Sequence, residues 1–117
     1  MGKPKKGGYP PPQPKVNYIA IKDGAIDPAN ATIAWGDSVV WTNKDAVAYR
    51  LAVCTAGQPD KDKIWADLGP VNTKNANSAP RQFDWSTAKG KDPFIYEYGM
   101  LPPGTAKATI TAQISRF

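Results

Sequence analysis

Residues 107–114 alternate without a break, with Ala108, Ile110, Ala112 and Ile114 interleaved with Lys107, Thr109, Thr111 and Gln113. Successive side chains of an extended chain point to opposite faces, so this period of two predicts a strand with one side in a core and the other wet. The same period recurs where Val39, Trp41 and Asn43 alternate with Val40 and Thr42, and again through Tyr49, Leu51 and Val53 and through Phe94, Tyr96 and Tyr98. Val16, Tyr18 and Ala20, with Ile21, predict a first strand that ends at the turn dipeptide Asp23-Gly24. Thr32-Ile33-Ala34-Trp35 predicts another, between the turn Asp27-Pro28-Ala29-Asn30 and Gly36-Asp37. Short strands set off by frequent turns imply an all-β antiparallel sandwich. No internal repeat is visible.

A chain of 117 residues with a hydrophobic fraction of 41% suits one globular core. The expected division is an extended basic Pro/Gly-rich tail over residues 1–15 and a sandwich over residues 16–117. The tail, with prolines that lack an amide donor and glycines that resist ordering, can form neither a helix nor a central strand, and polyproline II character is expected from Pro10 to Pro14. It also carries the charge: residues 1–15 hold Lys3, Lys5, Lys6 and Lys15 and no acid, whereas residues 16–117 hold eleven basic and ten acidic residues. A nucleic-acid-binding domain would concentrate Lys and Arg on its folded surface, so no nucleic-acid partner is expected.

Residues 55–82 predict a long polar connection in which Lys63-Ile64-Trp65-Ala66-Asp67-Leu68 forms one short helical turn, with Trp65 expected to anchor it to the sandwich and an exposed recognition aromatic as the alternative. Phe83-Asp84-Trp85 predicts a core strand. The lone Cys54, flanked by Ala52, Val53 and Thr55, is expected to be a buried or half-buried structural thiol. Apolar runs of only a few residues fall far short of the roughly 20 needed to cross a bilayer as a helix. The basic N-terminus leads into proline and glycine, without the apolar segment of a signal peptide, so either an export signal precedes this numbering or the protein is cytosolic.

Gly36-Asp-Ser-Val-Val-Trp-Thr-Asn43 and Phe94-Ile-Tyr-Glu-Tyr98 resemble the signature strands of the cupredoxins, the small β-sandwiches of plastocyanin type, and the resemblance extends over roughly residues 16–114. It implies a Greek-key sandwich. Cupredoxins typically carry a His near the start of the strand after Gly-Asp-x-Val-x-Trp-x-Asn, then Tyr-x-Cys, His-Pro and Met before a final strand. Aligned on these motifs, Tyr49 falls at the first His, Tyr98 at the Cys, Leu101 at the second His and Gly104 near the Met. A blue-copper centre needs a thiolate, two imidazoles and a weak axial thioether, and none of the four residues supplies such a donor. The chain has no histidine at all, which also removes Ser-His-Asp, Cys-His and the common zinc arrangements.

The expectation is therefore a non-catalytic sandwich without a metal or other cofactor. It acts as a structural or protein-interaction subunit, and the resemblance points to a larger electron-transfer assembly on the periplasmic or lumenal side. The residues expected to face a partner, a larger complex or an anionic surface, are Lys3, Lys5, Lys6, Tyr9, Pro10, Pro11, Pro12 and Lys15 of the tail and the Leu101-Pro102-Pro103 loop. Tyr49, Tyr98 and Leu101 are expected either to pack as an aromatic plug where the copper ligands would stand or to line a small-ligand pocket. The competing reading is an electron carrier or small-ligand or copper binder with an unconventional site built from Cys54, Met100 or the tyrosines.

Overall fold

A computed structural model of the chain describes residues 14–84, 92–101 and 106–114. Lys3, Lys5, Lys6, Tyr9, Pro10, Pro11, Pro12, Trp85, Pro102, Pro103 and Gly104 lie outside the described residues. The described chain runs through β1 (Val16–Lys22), β2 (Ala25–Asp27), β3 (Asn30–Ala34), β4 (Ser38–Asn43), β5 (Tyr49–Thr55), β6 (Gln58–Leu68), β7 (Arg81–Gln82), β8 (Phe94–Leu101) and β9 (Lys107–Gln113). Two sheets form, ordered β2-β1-β4-β7 and β3-β9-β8-β5-β6. The all-β sandwich expected from the alternation is the observed architecture. Both sheets are nevertheless mixed, because β1 pairs with β4 and β3 with β9 in parallel. A period of two specifies which face a residue takes, and is silent on the direction of the neighbouring strand.

The core lies between the sheets, where Ile19, Ile21, Val39, Trp41, Leu51, Tyr98, Met100 and Ile110 are all buried. Burying each such side chain contributes on the order of 1.5–3 kcal/mol. Two assignments of face differ from expectation. In β1 the inward residues are Ile19 and Ile21, while Val16 and Tyr18 are exposed on the outer face, Tyr18 in register with Val40 of β4. At the other end, β9 stops at Gln113 and the amide of Ile114 donates to Asp92 Oδ1 at 2.8 Å, so Ile114 leaves the ladder and is exposed while Ala108, Ile110 and Ala112 are buried as expected.

The expected helical turn at 63–68 is a correction: these residues belong to β6, which pairs antiparallel with β5 from Tyr49↔Leu68 to Thr55↔Gln58. Edge pairing to a neighbouring strand overrides a short apolar grouping with no helix cap. The hairpin turns at Ala56-Gly57, both at positive φ (55° and 82°), the backbone that a tight two-residue turn requires. Pairings then shift between Leu51↔Ala66 and Ala52↔Ile64, leaving Trp65 as an extra residue on β6. Such a bulge re-aims a side chain. Here it lets both Trp65 and Ala66 pack against the core.

Candidate functional site

The Gly36–Asn43 segment holds its strands in place through its two buried polar residues. Gly36 turns at φ 97°, and its amide donates to the carbonyl of Phe83 at 2.7 Å. Buried Asp37 accepts the amides of Lys15 (3.1 Å) and Ala34 (3.2 Å) and the Nδ2 of Asn17 (3.4 Å), tying the entry of β1 to the β3–β4 turn. Buried Asn43 donates through Nδ2 to the carbonyls of Val47 (2.7 Å) and Gly69 (3.0 Å), and its Oδ1 accepts the Asp45 amide at 2.9 Å. A buried amide whose donors and acceptor are all used fixes the loop after β4 and the chain after β6 together. Phe83 is buried, as expected for a core position, although the strand beside it is Arg81–Gln82.

Tyr98, at the position aligned with the cupredoxin thiolate, is wholly buried on β8, and Trp41 Nε1 donates to its Oη at 3.0 Å. Its ring meets Trp41 edge-on at 5.6 Å and lies 5.2 Å from Trp65. Trp65 in turn reaches Phe83 (5.5 Å) and Tyr96 (5.9 Å), so it anchors β6 to the sandwich as expected, from a strand rather than a helix. Burial pushes the Tyr98 phenol up to about 12, against the hydrogen bond from Trp41, which pulls it down.

Tyr49 stands apart from that cluster. Its Oη donates to Asp45 Oδ2 at 2.9 Å, and Asp45 also accepts the amides of Asp23 (2.7 Å) and Gly24 (2.9 Å). The Gly24 amide holds the Asp45 carboxyl below its ordinary range, with Asp23 and Tyr49 adding to the effect against some desolvation. Burial first, then the bond to Asp45, raises the Tyr49 phenol. Leu101 pairs with Arg50 and joins Tyr49, Leu68, Gly69 and Asn75 around an open groove of about 540 Å³, crossed by the exposed Arg50–Asp67 ion pair at 3.0 Å. The structure thus brings Tyr49 and Leu101 to one groove and places Tyr98 in an interior aromatic cluster. Lys15 binds the sheet through its backbone, its amide on Asp37 and its carbonyl accepting the Ser38 amide at 3.0 Å.

A type I copper ion does not fit this donor set. Tyr49, Tyr98 and Leu101 provide neither thiolate, imidazole nor thioether, and the sequence has no imidazole to recruit. The remaining soft atoms are divided by the sheet. Met100 shares the inner face of β8 with Tyr98, whereas Cys54 follows Val53, the register partner of Tyr98, and so takes the outer face beside Glu97. Burial and the Glu97 charge raise the Cys54 thiol, the opposite of an activated thiolate. Sequence reasoning missed Asp37, Asn43 and Asp45 as the polar clasps. Their signal was Asx residues bracketing an apolar strand, a pattern that ordinary turns share.

No protein-family model matches the chain, and no curated protein sequence does. Solved structures do. A purple cupredoxin from Nitrosopumilus maritimus is 20% identical with a TM-score of 0.57, over 83% of this chain and 99% of the other. Amicyanin from Paracoccus versutus is 17% identical with a TM-score of 0.57, over 84% and 81%. An oxidised point mutant of amicyanin is 14% identical with a TM-score of 0.58, over 84% and 82%. These likenesses, each over more than four-fifths of the chain, show the fold: the chain has the cupredoxin fold.

Proposed function

We propose that this protein is a non-catalytic, metal-free structural or interaction subunit that uses the cupredoxin fold to hold part of a larger assembly. The observation that carries the reading is Tyr98: at the position aligned with the thiolate, a buried phenol is bonded to Trp41 and enclosed by aromatic rings. Tyr98 fills and ties the interior between the sheets, which supports reading the sandwich as a scaffold. The partner is a protein complex, engaged through the Lys/Pro-rich tail over residues 1–15 and the Leu101-Pro102-Pro103 segment, of which Leu101 shares a groove with Tyr49 and the Arg50–Asp67 pair. The location that goes with this reading is the periplasmic or lumenal side of an electron-transfer complex. Among the described residues no helix is long and apolar enough to cross a membrane, which accords with attachment through a partner.

The test is the native mass of the untagged protein after mild detergent extraction from its own source, with mass spectrometry of whatever migrates with it. Migration with a large complex supports the subunit role and identifies the partner. Recovery only as a free monomer contradicts it.

A second reading, a small-ligand binder, is favoured by the groove of about 540 Å³ between Tyr49 and Leu101. Native mass spectrometry after gentle purification separates the two: a retained organic ligand supports the binder, an empty chain the subunit.

A further inference from the structure

A second groove, of about 670 Å³, opens between β6 and the segment that leads into β7, and its lining includes Trp65, Asn75, Asn77, Ser78, Arg81 and Gln82. Asn77 and Ser78 each engage an acceptor oxygen within the framework and keep donor hydrogens. Asn77 Oδ1 accepts the Thr42 hydroxyl at 2.8 Å, leaving the Nδ2 hydrogens. Ser78 Oγ accepts the Trp41 amide at 2.9 Å, leaving its hydroxyl hydrogen. Gln82 Nε2 donates once, to the Gly36 carbonyl at 3.2 Å, and keeps a second hydrogen.

Among the described residues, the cation beside these donors forms no ion pair, the Asp67 carboxylate at the groove's rim being paired with Arg50. The guanidinium of Arg81 lies 5.0 Å from the ring centroid of Trp65, and the ion pair among those residues is Arg50–Asp67. Residues 1–13, 85–91, 102–105 and 115–117 contain neither Asp nor Glu, so these residues bring no acidic side chain to Arg81. A guanidinium over an indole face can still offer its fork of N–H groups to a planar two-oxygen acceptor. Partial burial lowers the Arg81 pKa, although the residue is exposed overall.

We infer that this groove is a carboxylate-binding site, in which Arg81 grips both oxygens of one carboxylate and Asn77, Ser78 and Gln82 donate to the acceptors next to it. A single charge is favoured over a phosphate dianion, because the groove offers one unpaired cation and has the Asp67 carboxylate at its rim, already paired with Arg50. The carboxylate belongs either to a free small acid or to an acidic side chain of an extended peptide. This site is independent of the subunit role proposed above.

The test is a titration of the full-length, ¹⁵N-labelled protein, followed by amide and Arg Nε chemical shifts at constant ionic strength. Four probes are used: sodium acetate, inorganic phosphate, a glutamate-containing hexapeptide and its glutamine counterpart. The expected result is saturable shifts at Asn75, Asn77, Ser78, Arg81 and Gln82 with the glutamate peptide or acetate, at least tenfold weaker binding of phosphate and of the glutamine peptide, and at least tenfold weaker carboxylate binding in Arg81→Gln. Acetate as good as the peptide assigns the site to small acids; a peptide far better than acetate assigns it to a protein segment. Arg81→Lys keeps the charge and loses the fork, and it too binds more weakly. Shifts spread over other surfaces, phosphate as tight as carboxylate, or full binding by a folded Arg81→Gln protein would overturn the inference.

Discussion

The indole Nε1 of Trp41 on β4 donates a 3.0 Å hydrogen bond to Tyr98 Oη on β8, joining the two sheets between fully buried side chains. Each group is the partner that the other's burial demands, and a buried donor without an acceptor is costly. Tyr98→Phe keeps the ring and orphans the Trp41 N–H, so it should destabilise the fold by about 1–3 kcal/mol. Tyr98→Ala also leaves a cavity, at about 3–5 kcal/mol. Urea unfolding of both variants checks the order, and equal stabilities of Tyr98→Phe and wild type would remove the bond from the account.

The same burial predicts an alkaline limit. The Tyr98 phenol ionises near 10 in the unfolded chain and at about 12 in the folded one. Below pH 10 both states keep the proton and stability is unaffected. Between those values the unfolded chain alone loses it, so stability falls as pH rises, by up to roughly 2–3 kcal/mol for a two-unit shift. Thermal melts from pH 9 to 12 should show this slope, and Tyr98→Phe should reduce it to the part that the raised Tyr49 phenol leaves.

Asp45 predicts the acid side. Its folded pKa is depressed, chiefly by the Gly24 amide, so its stabilising contribution is present above the unfolded value of 3.8 and is lost as pH falls through the lower folded value. Asp45→Asn should therefore be less stable than wild type at pH 7, with the gap closing towards pH 2. Paired denaturation curves at the two pH values measure that gap.

Gly99 on β8 predicts a packing limit. A methyl group there would meet Pro59 Cγ at 2.6 Å and the Ala106 carbonyl oxygen at 2.8 Å. The β6 hairpin arm lies against this point, and Lys107 Nζ donates to the Gly57 carbonyl at 2.9 Å to hold it. Gly99→Ala should cost about 1–3 kcal/mol through overpacking, read as a lowered melting temperature.

The sandwich was legible because Val39, Trp41, Leu51, Tyr98, Ala108, Ile110 and Ala112 all lie on the faces that the alternation assigns them. β6 was not legible. Its polar stretch Asp60-Lys61-Asp62-Lys63 carries no period of two, and it is a strand because β5 offers an edge and Ala56-Gly57 turns the chain back onto it. The outer apolar face of β1 misled for a related reason: Tyr18 stands beside Val40 of β4, so an apolar stripe exists on the solvent side as well. Of the candidate site, the resemblance alone set Tyr49, Tyr98 and Leu101 at ligand positions. Their division between a groove and an interior cluster needed the β5–β8 register, which a single sequence does not contain. Arg81 gave no signal, since its meaning depends on Trp65, sixteen positions earlier in the chain.

The central claim is that a buried tyrosine, rather than a metal, occupies the heart of this fold. Its most direct test is the metal content and visible spectrum of the protein purified from its own source, before and after Cu(II) is added. Far less than one copper per chain and no intense visible thiolate band are expected, because Cys54 and Met100 lie on opposite faces of the sheet. One copper per chain retained through gel filtration, with an intense visible band, would contradict it.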